Sequence, residues 1–116
     1  MVLGDKEARD ARDARVGPRK ILRCPARVTL PAAVTLKART FDISMAGISV
    51  IIDNPLPLNE RYQIAFDAMV GGKVMKLNLM ARAVHCSLSG TEGFRVGFHF
   101  EKNDEATLKA VRQLLS

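Results

Sequence analysis

The sequence predicts a mainly β protein: a small antiparallel barrel followed by a C-terminal α-helix. The chain has 116 residues, which suits one domain with a modest core. From Cys24 onward, short segments alternate apolar and polar residues with a period of two, as half-buried strands do. Apolar residues at helical spacing occur in the last segment, so we expect that helix to cover a barrel opening or a sheet face.

The first predicted strands alternate clearly. The segment "ARVTL" at 26–30 has apolar residues at every second position, and "VTLKARTFDI" at 34–43 places Lys37 and Arg39 on one face. The segment "GISVIID" at 47–53 is apolar on both faces. We therefore expect it to be a central strand that is covered on both sides.

A loop and a hairpin are predicted next. Two prolines in "NPLPLNE" at 54–60 exclude a central strand there. The segment 61–70 alternates regularly, and 73–86 reads as a long strand. Gly71-Gly72 between them fits a tight hairpin turn, because glycine adopts positive φ at both turn positions.

The chain then predicts a turn, a last strand and a helix. The turn is "SLSGTEG" at 87–93, and "FRVGFHF" at 94–100 alternates strictly. The final segment begins with Asn103 or Asp104 as the N-cap and has an acidic first turn. Its later leucines and valine recur at helical spacing, which indicates one amphipathic helix to the end of the chain.

Charge and composition narrow the class of partner. The net charge is +6 and the pI is about 9.8. Residues 1–27 hold eight basic and four acidic residues, which is +4 of that total. A basic N-terminal part favours an anionic partner, such as a nucleotide, a nucleic acid or a membrane surface.

Other bulk features predict a cytoplasmic protein with a short arm. No apolar run reaches the roughly 18 residues of a membrane span, and the N-terminus lacks the apolar core of a secretory signal. Residues 1–16 repeat Ala-Arg-Asp without an apolar stripe, so we expect a flexible arm before a barrel domain at 17–116. Cys24 and Cys86 are isolated and are expected to be reduced thiols.

Catalytic motifs are absent from the sequence. It contains no HExxH, GxSxG, P-loop, GxGxxG or CxxC pattern. His85 and His99 lie 14 residues apart on predicted strands with no obvious acidic or cysteine partner, so we expect structural roles for both. We therefore predict a protein that is not an enzyme, with no metal ion and no cofactor.

A basic motif precedes the first predicted strand. Arg19, Lys20 and Arg23 lie between Pro18 and Pro25, which argue against a sustained helix. In such a loop both guanidinium groups can converge on one anion, since their planar forks match a phosphate or the O6/N7 edge of guanine. Taken alone, the motif also fits a solvated basic loop.

A polar motif ends the second predicted strand. Asp42 and Ser44 are two residues apart and therefore share a face, and Gly47 follows. A glycine there provides positive φ or permits close approach of a ligand. Taken alone, this is also an ordinary polar turn. Taken with the arginines, it supplies a carboxylate that can accept from N1–H and N2–H₂ of guanine.

The two motifs together resemble a known family. Arg19-x-x-x-Arg23 followed by Asp42-x-Ser44-x-x-Gly47 looks like the bipartite signature of the PilZ domain, a family of bacterial receptors for cyclic di-GMP.

The later strands extend the resemblance. "ARAVHC" at 81–86 and "RVGFHF" at 95–100, with Gly97 and Phe100, are similar to late strands of the family. The resemblance covers about residues 17–115.

This resemblance implies a six-stranded antiparallel barrel with a C-terminal helix, and it implies site residues. Arg19 and Arg23 would grip guanine edges and phosphates from the N-terminal loop. Asp42 and Ser44 would take the polar edge of a guanine or a phosphate, and Gly47 would keep the backbone close.

Three further residues complete the predicted ligand-binding set. Lys20 occupies a place where many relatives carry arginine, which keeps the charge but loses the fork. Arg15 and Gly97 are additional candidates.

The implied function is a non-enzymatic cyclic di-GMP receptor that acts as an adaptor toward a downstream protein. Its N-terminal arginine loop would close over the ligand. Two alternatives stay open: a PilZ-like interaction module without nucleotide binding, and a nucleic-acid-binding barrel. The aspartates interleaved in the arm and the scarcity of aromatic residues disfavour the second alternative.

Overall fold

The computed structural model describes residues 19–116. The predicted arm, residues 1–16, and the candidate Arg15 lie outside these residues. The elements in chain order are β1 (Lys20–Ile21), β2 (Pro25–Thr29), β3 (Thr35–Ile43), β4 (Gly47–Ile52), β5 (Arg61–Val70), β6 (Lys73–Leu88), β7 (Phe94–Phe100) and α1 (Glu105–Leu115).

Six of the strands in residues 19–116 close into an antiparallel barrel, as predicted. Neighbours pair in the order β3, β2, β5, β6, β7 and β4, and β4 returns to pair with β3. The short strand β1, which the sequence did not predict, lies outside this barrel and pairs with the last residues of β3. It continues the path of β2 along the same edge of β3.

The predicted burial of β4 and the predicted glycine hairpin are confirmed, whereas β6 runs two residues further than predicted, to Leu88, into the segment expected to be a turn. All six residues of β4 are buried, which fits its apolar character on both faces. Gly71 and Gly72 have φ values of 58° and 79°, so the β5–β6 hairpin takes the tight turn expected for two glycines. The inward residues of β5 and β7 meet in the core, where the rings of Tyr62 and Phe98 pack edge to face with centroids 5.7 Å apart.

The C-terminal helix packs against the barrel near β5 and β6. Asp104 is the N-cap and accepts a hydrogen bond from Thr107 N at 2.8 Å. Hydrogen bonding with the side chain of Thr107, and then with its backbone N–H, lowers the pKa of Asp104. Val111 and Leu114 are the fully buried residues of its apolar stripe. The side chain of Asn103 bonds both backbone groups of Met80, where β6 extends past the end of β7. No helix in residues 19–116 is long and apolar enough to cross a membrane.

Candidate ligand-binding site

The hydroxyl group of Thr40 fixes the basic motif beside the polar one. Thr40, which is 1% exposed, donates to Leu22 O at 2.6 Å and accepts from Cys24 N at 2.8 Å. Leu22 N also donates to Phe41 O at 3.0 Å. The residues between β1 and β2 are therefore held along β3, and the arginine motif lies next to Asp42.

Asp42 is a buried carboxylate with arginine partners from two different elements. A register shift between Thr40 and Asp42 pairs Asp42 with Ser49, on the outward side of β3, yet Asp42 is only 5% exposed. Arg19 Nη1 lies 3.2 Å from Oδ1, and Arg95 Nη2 lies 3.1 Å from Oδ2. Both guanidinium groups keep large exposed fractions, 46% and 39%, so they remain accessible to a ligand while the carboxylate orients them.

Phe41 provides a second point of contact for the arginines. The guanidinium carbon of Arg95 lies 4.1 Å from the ring centroid, and that of Arg23 lies 4.8 Å from it. Arg95 therefore contacts both Phe41 and Asp42. Arg19, Arg23 and Arg95 form one cationic cluster around these two neighbours.

A cavity of about 570 Å³ lies beside this cluster. Its size falls within the range of about 300–1,000 Å³ that is usual for small-molecule sites. Its walls combine cationic, hydroxyl, imidazole and glycine groups from β4, β6, β7 and the segment before β1. The lining includes Arg19, Ser44, Gly47, Ser49, His85, Ser87, Arg95, Gly97 and His99.

Ser44 lines the cavity and also shapes the turn between β3 and β4. Its hydroxyl oxygen accepts from Ala46 N at 3.2 Å and from Gly47 N at 3.3 Å. Ser44 N donates to Gly47 O at 2.9 Å. In both contacts the hydroxyl oxygen is the acceptor. Its O–H group donates to no acceptor in the described residues and can therefore donate to a ligand.

Gly47 is required by the packing of β4 on β7. A Cβ atom built at Gly47 would overlap the carbonyl oxygen of Phe98. Of the two alternatives given for Gly47, positive φ is not the one the structure has, because Gly47 begins β4 and is not among the glycines with positive φ. A Cβ atom at Gly97 would meet its nearest neighbour, His85 Cβ, at an ordinary 3.6 Å, so Gly97 has room for a side chain.

Lys20 is directed away from the cavity. Its Nζ donates to Leu114 O at 3.0 Å, at the C-terminal end of α1. A cation there compensates the partial negative charge of the last helical carbonyl groups. The structure thus brings together Arg19, Arg23, Asp42 and Ser44 but places the amine of Lys20 on the helix.

Several site residues could not be singled out from the sequence. Arg95 was not among the predicted site residues, and its contact with Asp42 arises from the pairing of β7 with β4 and of β4 with β3. His85 and His99, for which we expected structural roles, are exposed and line the cavity. A register shift between Ala83 and His85 places His85 on this side of β6.

Metal ligation has no support in the described part of the chain. Residues 19–116 contain no group of three or more histidine, cysteine, aspartate or glutamate side chains arranged to hold a metal ion. The pattern of cations and hydroxyl groups around the cavity suits an anionic ligand with polar edges.

Solved structures with the same fold include several bacterial proteins. Bacillus subtilis MotI/DgrA, an inhibitor of motility, has a TM-score of 0.70 at 12% identity, and the alignment covers 83% of this chain and 46% of that one. This chain thus spans less than half of that relative.

Isolated domains of the same kind are matched over most of their length. The PilZ domain of CeSA from a cellulose-synthesizing bacterium has a TM-score of 0.60 at 21% identity, with 84% of this chain and 94% of that one covered. The PilZ domain of Escherichia coli YcgR, whose structure contains c-di-GMP, has a TM-score of 0.62 at 18% identity, with 84% and 85% covered.

Sequence comparisons identify the family of this chain. A search of curated protein sequences found no match. The family model of the PilZ domain matches residues 10–116, which include both motifs and every element described above. This chain therefore belongs to the PilZ domain family.

Proposed function

We propose that this chain is a non-enzymatic receptor for cyclic di-GMP, which binds in the cavity beside Asp42. The observation that carries the proposal is the convergence of Arg19 and Arg95 on one buried carboxylate at the edge of a cavity of about 570 Å³. Family membership supports it, and so do the c-di-GMP complexes of YcgR and of Borreliella burgdorferi PlzA.

The charges of the cluster complement those of the ligand. In the described residues, the cluster holds three guanidinium groups, of which Arg19 and Arg95 pair with the Asp42 carboxylate and Arg23 lies over Phe41, so it carries an excess of two positive charges. Cyclic di-GMP carries two phosphodiester groups, each with one negative charge. Charge-assisted hydrogen bonds contribute roughly 1.5–3 kcal/mol each, so a few of them offset the cost of ordering ligand and side chains.

Each group has a chemical task in the proposed complex. A guanidinium fork can donate two parallel hydrogen bonds to a phosphate or to O6 and N7 of guanine. The carboxylate of Asp42 can accept from N1–H and N2–H₂ of the same base. In the ligand-free site the arginines occupy this carboxylate, so binding exchanges part of these salt bridges for contacts with the ligand.

Loop closure is a further part of the proposal. In this proposal the N-terminal arginine loop closes over the bound ligand, and the contacts of Thr40 with Leu22 and Cys24 anchor the loop at its β3 end. The chain then presents a changed surface to a downstream protein, as expected of an adaptor. If closure occurs, cyclic di-GMP shifts the amide signals of residues 10–24 and 42–47 together in NMR spectra.

Titration calorimetry tests the receptor function directly. We expect wild-type protein to bind cyclic di-GMP with micromolar affinity, about −8 kcal/mol. Arg23→Ala should weaken binding by about tenfold or more, because it removes one charge-assisted contact. Arg112→Ala, which removes an exposed arginine from α1, is the matched control and should leave the affinity unchanged. Absence of binding at high ligand concentration would favour a PilZ-like interaction module.

Lys20 gives a separate prediction, because its amine contacts α1 rather than the cavity. Lys20→Met keeps the aliphatic stem but removes the hydrogen bond to Leu114 O. We expect the free energy of unfolding to fall by about 0.5–1 kcal/mol, measured by urea denaturation. The affinity for cyclic di-GMP should stay within about twofold of wild type. A tenfold loss of affinity with unchanged stability would instead make Lys20 a ligand contact.

A further inference from the structure

The outer face of β2 and β3 carries a row of cations that the proposed ligand site does not use. Arg27, Lys37 and Arg39, the basic stripe, are exposed. Arg27 and Lys37 lie directly opposite each other in the antiparallel pair. Cβ atoms at such positions are about 4.5–5.5 Å apart, and like charges there destabilise a sheet.

The charges of the basic stripe are not neutralised within residues 19–116. None of its three side chains forms a salt bridge with a carboxylate there. Of the acidic residues on adjoining strands, Asp67 pairs with Lys76, and Asp53 follows the end of β4. A repulsive cross-strand pair without a compensating partner destabilises the fold locally. Such local destabilisation is typical of functional surfaces.

The basic stripe adjoins the ligand site. Ile51 pairs with Arg39 on one side and with Arg95 on the other. Ile51 is 4% exposed although it lies on the outer face of the barrel, which fits coverage by the aliphatic stems of these arginines. A partner on the basic stripe would therefore lie next to the cavity.

We propose that the basic stripe docks an extended acidic segment of a partner protein. Lys37 and Arg39 are two residues apart on one strand, hence about 6.8 Å apart, which matches alternate side chains of an extended peptide. The outward residues beside the stripe are small or polar: Thr29, Thr35, Gln63 and Ala65. Carboxylates at alternate positions of the partner would meet the cations. The hydroxyl groups of Thr29 and Thr35 bond each other at 3.1 Å and keep further hydrogen-bonding capacity for the partner's backbone.

Two other anionic partners fit the basic stripe less well. Every phenylalanine and the tyrosine lie in the described residues, and none of these rings is exposed, so nucleic-acid bases would lack a stacking surface. The outward residues beside the stripe on β2, β3 and β5 include no large exposed apolar side chain to insert into a lipid surface. An acidic polypeptide needs neither feature.

Charge reversal at Lys37 tests the proposal in the full chain. Fluorescence anisotropy measures binding of labelled poly-L-glutamate to wild type, to Lys37→Glu and to Lys73→Glu, an equal charge change on the exposed β5–β6 hairpin. We expect Lys37→Glu to weaken binding by about tenfold and Lys73→Glu by less than about twofold. Equal weakening by both variants would overturn the proposal.

A measurement of Tm and two competing binding probes make this test more specific. Lys37→Glu should raise the Tm by roughly 2–5 °C, because Arg27 gains an opposite charge, and a fall in Tm would contradict the like-charge strain. Oligothymidylate and phosphatidylserine-containing vesicles are the competing probes. If Lys37→Glu weakened binding of only the oligothymidylate or only the vesicles, and not of poly-L-glutamate, the proposal would also be overturned. Cyclic di-GMP affinity, measured in parallel, should not change in Lys37→Glu. A failure of the proposed receptor function can therefore be distinguished from a failure of the docking proposal.

Discussion

Asp42→Asn is expected to weaken cyclic di-GMP binding by roughly 10- to 100-fold, the loss of one or two charge-assisted hydrogen bonds. Asparagine keeps the shape of the side chain, but its amide NH₂ cannot accept from a guanidinium group or from guanine N–H groups. Arg19 and Arg95 would also lose the carboxylate that orients them. Titration calorimetry measures the affinity, and circular dichroism verifies that the variant is folded.

Asp67→Asn is the matched control for this experiment. Asp67 forms a surface salt bridge with Lys76 on the β5–β6 hairpin, so the variant makes the same chemical change at an exposed site outside the ligand cavity. Its affinity should equal that of wild type. Wild-type affinity in Asp42→Asn would show that the carboxylate is not a ligand contact. Tighter binding would show that Asp42 competes with the phosphates for the arginines.

Gly47→Ala is expected to destabilise the fold more than any other alanine substitution in the two motifs. The new methyl group would overlap the backbone carbonyl of Phe98, and a backbone atom in a paired strand cannot turn away as a side chain does. We expect the free energy of unfolding to fall by about 3 kcal/mol, which lowers the Tm by more than roughly 10 °C. Thermal and urea denaturation followed by circular dichroism measure both quantities.

Gly97→Ala provides the contrast on the neighbouring strand. Its methyl group would contact His85 Cβ at an ordinary distance of 3.6 Å. Alanine also loses less conformational entropy than glycine on folding, so we expect a change in unfolding free energy below about 1 kcal/mol. If Gly47→Ala also changed the unfolding free energy by less than about 1 kcal/mol, Gly47 would not be needed for the close approach of β4 and β7.

Much of the barrel follows from periodicity in the sequence. The alternating segments predicted β5 and β7 over their full lengths, and the apolar run predicted β4 as a strand buried on both faces. Gly71 and Gly72 predicted the hairpin because few other residues adopt positive φ at both turn positions. These are local properties, so a single sequence contains them.

The geometry of the site depended on contacts between distant residues. Arg95 reaches Asp42 across 53 positions of sequence, through the pairing of three strands. Register shifts in β3 and β6 determine the faces on which Asp42 and His85 lie. Such shifts cannot be detected in the alternation of apolar and polar residues. The contact of the Lys20 amine with Leu114 O could not be predicted from the motif, because it joins residues 94 positions apart and adjacent residues of an extended segment point to opposite sides.

The Thr40 hydrogen bonds have a consequence for how such a sequence can diverge. Because strand pairing and one hydroxyl group hold the basic motif against the end of β3, the number of residues between the two motifs is not itself constrained. Insertions into the exposed turn between Leu30 and Val34 would lengthen that separation and leave the site intact. By contrast, an insertion within β3 between Thr40 and Asp42 would separate the two halves of the site without changing either motif.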